Sequence, residues 1–208
     1  MLELRRPDKR NAVSWHMWET ILKHLDEAGG RTDVRVLVVQ GSAGVFCAGA
    51  DLAAVKERDG SASASFRELV VRTVTAIAEF PVPSVARVDG PCIGAGCSLA
   101  LACDIRFAHR NAIFAIPAVR HGIVYDEDSI ARLASLVGPS RAARMLYTGV
   151  PIDGMQAERI GLVDECSRHL DQLMADCVGT LTSGDPSTIA AHRNVLRATA
   201  SRTGRHQR

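Results

Sequence analysis

The segment from Ser84 to Ile105, SVARVDGPCIGAGCSLALACDI, constrains the fold more than any other part of the sequence. An apolar strand runs into a turn, then into Gly94-Ala95-Gly96, and then into a helix of small residues. The two glycines permit a tight turn and let another group approach the main chain closely. A helix that begins there points unpaired N–H groups outward, with the positive end of its dipole behind them. The segment therefore predicts either a site for an anion or a developing oxyanion, or a strand-to-helix turn without function.

The length and charge of the chain narrow the class of protein. A chain of 208 residues suits one principal domain, and 47% hydrophobic with 23% charged residues is ordinary for a globular protein with a substantial core. A net charge of +2 argues against nucleic acid or an anionic membrane surface as a partner. The sequence has no apolar run near the ~20 residues of a membrane span, and no signal peptide opens it. We expect a cytoplasmic protein.

The cysteines and histidines favour structural positions over a metal site. The six cysteines lie mostly in apolar segments without CxxC spacing, which predicts buried, reduced thiols. The histidine spacing does not suit a metal ion, and we expect His109 and His121 to be surface or structural residues. No metal and no cofactor is predicted.

Helices and strands alternate along the chain, which is typical of an α/β fold with parallel strands. Apolar positions recur at helical spacing from Ser14 to Ala28, with Ser14 as N-cap, and RVLVVQ at residues 35–40 reads as a buried strand. Further helices are predicted at residues 66–80, 129–136, 139–148, 170–181 and 186–200, with strands at 104–108 and 112–116 and an irregular segment at 117–128. The end of the chain, residues 191–208, has five arginines and no acid, and we interpret it as a frayed basic tail.

Two other loops carry candidate functional residues. GSAGVFCAGADL, at residues 41–52, is a second glycine-rich loop in which small residues permit close backbone approach. The turn RRPDKRNAV, at residues 5–13, has four basic residues and is either a solvated face or a contact for phosphates.

Four segments together resemble the crotonase (enoyl-CoA hydratase/isomerase) superfamily. They are RRPDKRNAV (5–13), FCAGADL (46–52), VARVDGPCIGAGCSLALACDIRFA (85–108) and LVGPSRAARMLYTGVPIDGMQAERIGLVDE (136–165), and they occur in the order and spacing of the family. The resemblance implies an α/β fold of the ClpP/crotonase type, a spiral of ββα units, with a short helical C-terminal region. It also implies a core domain at residues 1–165 and a helical C-terminal segment at 166–208, shortened relative to the family.

By this resemblance the ligand is an acyl-CoA thioester, with coenzyme A as part of the substrate and not a separate cofactor. The two oxyanion-hole N–H groups would come from Ala50 and Ala95. Positions that line the CoA site in the family correspond to Ala48, Asp51, Leu52 and the turn Arg10, Asn11 and Ala12. The implied assembly is a homotrimer or a dimer of trimers.

The sequence departs from the family where the working acids are expected. Ser98 and Ala118 stand where hydratases carry glutamates, and neither side chain can act as a general base near neutral pH. The nearby replacement candidates are Tyr125, Asp126 and Asp128, in a loop where some branches of the superfamily place an acid and a decarboxylase branch has a tyrosine. The acidic residues 126–128 are explained equally well as negative charge at the N-terminus of the following helix, where it complements the helix dipole.

Three functions remain open from the sequence. The first is an enzyme that polarises a thioester and then moves a proton or releases CO₂. Standard hydration is not expected, because the two carboxylates that would hold and activate water are missing. The second is a non-catalytic acyl-CoA binding or carrier protein. The third is a structural subunit of a hetero-oligomer.

Overall fold

The computed structural model describes the backbone of residues 1–51 and 60–205 and the side chains of residues 1–51 and 64–199. The strands are β1 (Leu2–Leu4), β2 (Leu37–Gly41), β3 (Ser84–Val88), β4 (Pro91–Ile93), β5 (Ile105–His109), β6 (Ile113–Ala115), β7 (Ile152–Asp153) and β8 (Glu165–Ser167). The helices are α1 (Trp15–Gly29), α2 (Gly60–Ala78), α3 (Ala95–Ala102), α4 (Glu127–Val137), α5 (Pro139–Thr148), α6 (Gly154–Arg159), α7 (Leu170–Ser183) and α8 (Pro186–Arg205), with short 3₁₀ helices at Pro7–Lys9 and Pro117–His121.

The larger sheet is wholly parallel, in the order β1-β2-β3-β5-β8. Val38 pairs with Val85, and Ala86 with Arg106. Side chains on both faces of the middle strands are buried, as the apolar runs of these strands require. The α/β class with parallel strands is therefore confirmed.

The smaller sheet has the order β4-β6-β7, and its first strand follows β3 of the larger sheet after a sharp turn at Gly90. The backbone of Gly90 has φ +57, and an added Cβ would lie 2.3 Å from the carbonyl oxygen of Gly44. Glycine is needed here both for the left-handed backbone and for contact with the loop after β2. This turn carries the chain from β3 into β4 and toward α3.

Helix α1 follows the prediction closely. The hydroxyl of Ser14 accepts a hydrogen bond from the amide of Met17 as N-cap, and Trp18, Ile21 and Leu25 form the buried stripe. The helix packs against α2, and the rings of Trp15 and Phe66 lie 5.5 Å apart. Helix α2 begins at Gly60, six residues before the predicted start.

Helix α3 lies in the interior, with Gly96 to Ala102 all buried. Small side chains allow a helix to sit this close to a sheet on one side and to neighbouring helices on the others. Its first turn faces the loop after β2, and this places the candidate site.

The C-terminal segment is fastened to the rest of the chain in two ways. In α7, Leu170 and Met174 form a small second core with Val85 and Phe107 beneath the large sheet. In α8, Arg193 is buried and binds Asp104, with Nε and Oδ2 2.7 Å apart, and also donates to the carbonyl of Phe80. The first arginines of the predicted frayed tail therefore belong to an ordered helix.

Candidate functional site

Two glycine-rich loops run side by side at the centre of the site. The loop after β2 runs alongside β4. The amide of Cys47 donates to the carbonyl of Pro91 at 2.9 Å, and the amide of Ile93 donates to the carbonyl of Cys47 at 2.9 Å. On its other side the same loop pairs with Val13, whose amide donates to Gly49 at 2.8 Å. Residues 47–50 are thereby held beside residues 91–95.

The contact between the two loops depends on glycine at Gly49 and Gly96. Gly49 has φ +107, and an added Cβ would lie 3.1 Å from the carbonyl oxygen of Ile93 and 3.9 Å from the amide nitrogen of Ala95. An added Cβ on Gly96 would lie 2.7 Å from the carbonyl oxygen of Cys47. Side chains at either place would separate the loops.

The amides of Ala50 and Ala95 make no hydrogen bond to the described residues. In the extended segment at Ala50, neighbouring N–H groups point to opposite sides, and that of Asp51 donates to Val13 at 3.0 Å. The N–H of Ala50 therefore points away from Val13. Ala95 is the first residue of α3, where N–H groups have no partner within the helix.

Both alanines line one cavity of about 580 Å³. Its walls come from both glycine-rich loops, from one face of α2, and from the 3₁₀ helix with the loop that follows it. The apolar side chains of this wall include Phe66, Val70, Ile93, Ala118 and Ile123. The cavity wall is therefore mostly apolar and includes two residues whose amides have no partner among the described residues, a lining that suits a mostly apolar ligand with a polar acceptor.

The loop before α4 contributes Tyr125 and Asp126 to the cavity wall. The hydroxyl of Tyr125 donates to the carbonyl of Gly94, and burial, above all, raises the pKa of this phenol well above its ordinary value. Oδ1 of Asp126 accepts from the amide of Ser129 at 2.8 Å and caps α4. Asp128 is exposed and is not part of the cavity wall.

Ser98 and Ala118, singled out in the sequence by the family resemblance, are both buried. Ala118 lines the cavity. Ser98, in α3, lies close enough to Tyr125 for its side chain to counter the rise in the phenol pKa.

The other predicted ligand-binding residues fall into two groups. Ala48 lines the cavity, and its amide donates to the carbonyl of Arg10 at 3.0 Å, so the exposed Arg10 lies beside it. Ala12 is partly buried in the same turn, and its carbonyl accepts from Arg6.

Asn11 and Asp51 are held by the protein itself. Asn11 is fully buried, and its side chain binds backbone groups of Arg6, Ser42 and Val45. A carboxylate oxygen of Asp51 lies 2.7 Å from Nη1 of Arg6. Leu52 lies outside the described residues.

Several residues of the cavity wall were not predicted from the sequence to line a site. Phe66 and Val70 are four residues apart on α2, a spacing that marks one helix face and was a usable signal. His121 lines the cavity as an exposed side chain. The hydrogen bond from Tyr125 to Gly94 spans 31 residues and leaves no local pattern.

Buried thiols lie directly behind the paired loops. Sγ of Cys47 accepts from the amide of Gly49 at 3.3 Å, and Sγ of Cys97 donates to the carbonyl of Cys92 at 2.9 Å. Burial raises the pKa of Cys47 to about 12, so it remains a thiol near neutral pH. The thiol of Cys47 therefore supports its loop and does not supply a nucleophile.

Within the described part of the chain, no helix is long and apolar enough to cross a membrane. The same residues contain no group of three His, Cys, Asp or Glu side chains placed to share a metal ion.

The parallel α/β fold and the two adjoining glycine-rich loops are those of the crotonase superfamily. The profile of the family described as enoyl-CoA hydratase/isomerase matches residues 1–208, and the chain belongs to this family. It is 36% identical over 181 residues to a probable enoyl-CoA hydratase of Mycobacterium tuberculosis, covering 86% of this chain and 67% of that protein. It is 35% identical over 165 residues to a 2,3-dehydroadipyl-CoA hydratase of Escherichia coli, covering 79% of this chain and 64% of that protein.

Solved structures of the family have the same fold. A crystal structure of an enoyl-CoA hydratase/isomerase family protein from Hyphomonas neptunium matches with a TM-score of 0.91 at 27% identity, over 96% of this chain and 78% of that chain. One from Xanthobacter autotrophicus matches with a TM-score of 0.89 at 27% identity, over 99% of this chain and 77% of that chain.

Proposed function

We propose that the chain binds an acyl-CoA thioester and holds its carbonyl oxygen between the amides of Ala50 and Ala95. The observation that carries the proposal is that both amides lack partners among the described residues and both line the same cavity. Amide donors placed in this way stabilise the negative charge that develops on a thioester oxygen when an enolate forms. They do so without rearranging during the reaction.

Two regions of the site suit two different parts of the proposed ligand. The apolar side chains of Phe66, Val70 and Ile123 suit an acyl chain, and the volume of about 580 Å³ suits a small-molecule ligand. The exposed side chain of Arg10, whose backbone carbonyl accepts from the amide of Ala48, suits a phosphate of coenzyme A. Binding energy from the nucleotide part is then available to orient the thioester.

The proposed chemistry is not standard hydration. A hydratase of this family uses two glutamates to hold and activate water, and the corresponding positions are Ser98 and Ala118. The chemistry that remains is enolate formation by proton transfer or by decarboxylation. In decarboxylation the bond between the α-carbon and a carboxylate breaks, its electron pair enters the enolate, CO₂ leaves, and the α-carbon takes a proton from water.

For proton transfer, Asp126 is the better placed of the two acids. It lines the cavity, and Oδ2 makes no hydrogen bond among the described residues while Oδ1 caps α4. Asp128 is exposed and outside the wall. We therefore assign proton transfer to Asp126 and not to Asp128.

A non-catalytic acyl-CoA binding protein is the second candidate. The observation that favours it is that the cavity-facing acid is already committed as a helix cap, at 2.8 Å from the amide of Ser129. Such a protein would keep the amide pair and present the thioester to a partner enzyme. A structural subunit of a hetero-oligomer would bind no acyl-CoA, and the mass of the purified complex identifies it.

Calorimetry followed by turnover assays separates these candidates. We expect micromolar binding of crotonyl-CoA, a 3-enoyl-CoA and methylmalonyl-CoA. Binding should be followed either by isomerisation, which Asp126→Asn abolishes and Asp128→Asn leaves intact, or by CO₂ release, which neither substitution abolishes. Binding without turnover of any of the three identifies the carrier. Absence of acyl-CoA binding contradicts both.

The amide pair has its own test in Ala95→Pro. Ala95 is the first residue of α3, where proline is tolerated because the N–H has no helical partner. The substitution removes one donor, and we expect acyl-CoA affinity to fall about 2- to 10-fold, the range of one neutral hydrogen bond. The affinity for free coenzyme A, which lacks the thioester, should not change.

We also propose the assembly implied by the family, a homotrimer or a dimer of trimers, and a cytoplasmic location. All six cysteines are free thiols, which supports a reducing compartment. Native mass measurement tests the assembly.

A further inference from the structure

The Gly94–Ala95 peptide is contacted on both of its polar ends. Its N–H belongs to Ala95, which lines the cavity and whose amide makes no hydrogen bond to the described residues, and its C=O, on Gly94, accepts the hydrogen bond from the hydroxyl of Tyr125. In a planar trans peptide the N–H and C=O point in opposite directions. The hydroxyl of Tyr125 therefore acts on the far end of the same group that offers its N–H to the ligand.

Further bonds hold this peptide at the start of α3. The carbonyl of Gly94 also accepts from the amides of Cys97 and Ser98 at 2.8 and 3.4 Å, and the amide of Gly94 donates to the carbonyl of Ala115 at 2.9 Å. The backbone of Gly94 lies at φ 54 and ψ −122, a region that is open to glycine and costly for other residues. The hydroxyl of Tyr125 adds a further donor to this carbonyl, from a segment outside the helix.

The phenol is suited to donate throughout the neutral range. Burial, above all, raises its pKa, and the neighbouring Cys97, Cys92 and Asp126 act in the same direction while Ser98 opposes them. The hydroxyl therefore remains protonated, with its proton directed at Gly94. A hydrogen bond to the C=O of an amide polarises the whole group and strengthens its N–H as a donor.

We propose that Tyr125 is a positioning residue, whose hydroxyl fixes and polarises the Gly94–Ala95 peptide so that the N–H of Ala95 is aimed at the thioester oxygen. This rests on the proposed function of the cavity. It assigns Tyr125 to the protein side of the oxyanion site, in place of direct proton transfer to the ligand.

The carbonyl stretch of bound butyryl-CoA, labelled with ¹³C at C1, reports the strength of the amide pair directly. In the wild-type protein we expect the band to move to lower frequency on binding. Tyr125→Phe should reduce this shift and weaken butyryl-CoA binding about 2- to 10-fold, while the affinity for free coenzyme A is unchanged. Tyr147→Phe is the matched control, since Tyr147 is 75% exposed and outside the cavity wall, and it should keep the full shift.

A second measurement changes the donor without removing it. The chain has two tyrosines, so 3-fluorotyrosine incorporated into Tyr147→Phe protein labels Tyr125 alone. Fluorination makes the phenol more acidic and a stronger donor, and the carbonyl shift should increase. A purely structural tyrosine would not produce this graded response, and the experiment holds even where Tyr125→Phe folds poorly.

The outcomes separate this proposal from the function on which it rests. A wild-type shift that is the same in Tyr125→Phe and unaltered by fluorination overturns the role of Tyr125 and leaves the thioester site in place. Butyryl-CoA that binds without a carbonyl shift, or does not bind to the wild-type protein, overturns both.

Discussion

Asn11 and Val45 are joined by a hydrogen bond of 2.6 Å from Nδ2 of Asn11 to the carbonyl of Val45, across 34 residues of chain. The same buried side chain binds the carbonyl of Ser42 at 2.9 Å and accepts from the amide of Arg6 at 2.8 Å. It ties the basic turn to the glycine-rich loop after β2. The position of Ala50 therefore depends on a residue that does not itself line the cavity.

We expect Asn11→Gly to lower the free energy of unfolding by about 2–4 kcal/mol, because it leaves buried backbone groups without partners. Glycine retains the positive φ of 56 at this position, so the loss reports the side chain and not backbone strain. Urea denaturation measures it. The exposed Asn194 is the control, and Asn194→Gly should cost less than about 1 kcal/mol. Equal costs for the two variants would contradict the role of Asn11.

The contact between the two glycine-rich loops is tested by placing a methyl group at Gly96. An added Cβ there lies 2.7 Å from the carbonyl oxygen of Cys47, and we expect Gly96→Ala to destabilise the fold by about 1–3 kcal/mol and to weaken acyl-CoA binding. Gly179 in α7 has no atom within 4 Å of an added Cβ, so Gly179→Ala should stabilise by about 0.5–1 kcal/mol and leave binding unchanged. Urea denaturation measures the stability of both variants, and calorimetry measures their acyl-CoA binding. Unaltered binding in Gly96→Ala would show that the contact between the loops does not affect the ligand site.

The buried thiols predict a loss of stability at alkaline pH. Burial raises the pKa of Cys47 and of Cys103 to about 12, whereas an unfolded thiol has a pKa of about 8.5. Above that value the unfolded state loses protons first, so stability falls by up to about 1.4 kcal/mol per pH unit for each thiol until the folded pKa is reached. Below it the contribution is fully present.

Urea denaturation between about pH 8 and pH 10 measures this slope. Cys47→Ala removes one titrating group and should make the fall shallower, whatever it does to stability at neutral pH. Cys177 is only partly buried, and Cys177→Ala should change the slope less. If Cys47→Ala left the slope unchanged, the thiol of Cys47 would have the same pKa in the folded and the unfolded protein.

Arg10 is the candidate contact for coenzyme A phosphates. Arg10→Asn keeps a residue that tolerates the left-handed backbone at φ 50, and we expect it to weaken acyl-CoA and free coenzyme A alike, by about 2- to 5-fold. The effect should shrink at high salt, because exposed charges are screened. Arg168 follows β8, at the opposite edge of the sheet from β1, and Arg168→Asn should have no effect. If Arg10→Asn weakened the binding of acyl-CoA but not that of free coenzyme A, Arg10 would not be a contact for the coenzyme A phosphates.

Local patterns were enough to predict much of the fold. The cap at Ser14 and the apolar spacing after it determine α1, and the small residues after Gly94 determine a helix that can be buried. The predicted start of α2 was wrong by six residues, because GSASAS has no apolar periodicity from which a helix could be predicted. The loop pairing at Ala50 and Ala95 was accessible only through family resemblance.

Relationships across long stretches of chain could not be predicted. The sequence around Arg193 is basic and periodic with a solvated face, yet the guanidinium binds Asp104, 89 residues earlier. Asn11 has the same character, since an asparagine in a polar turn gives no sign that it is fully buried. The side chain that reaches the back of the Gly94–Ala95 peptide comes from a loop that reads as irregular.

Helix α8 is fastened by guanidinium groups, that of Arg193 on Asp104 and the carbonyl of Phe80 and that of Arg197 on the carbonyl of Ala78, while Val195 and Leu196 are exposed. A segment held by so few apolar contacts opens at a lower free energy than the core, as a cooperative unit of its own. Amide hydrogens along α8 should therefore exchange with solvent far earlier than those of β3 and β5. The carbonyls of Ala78, the last residue of the cavity-lining helix α2, and of Phe80 just after it would be exposed each time α8 opens.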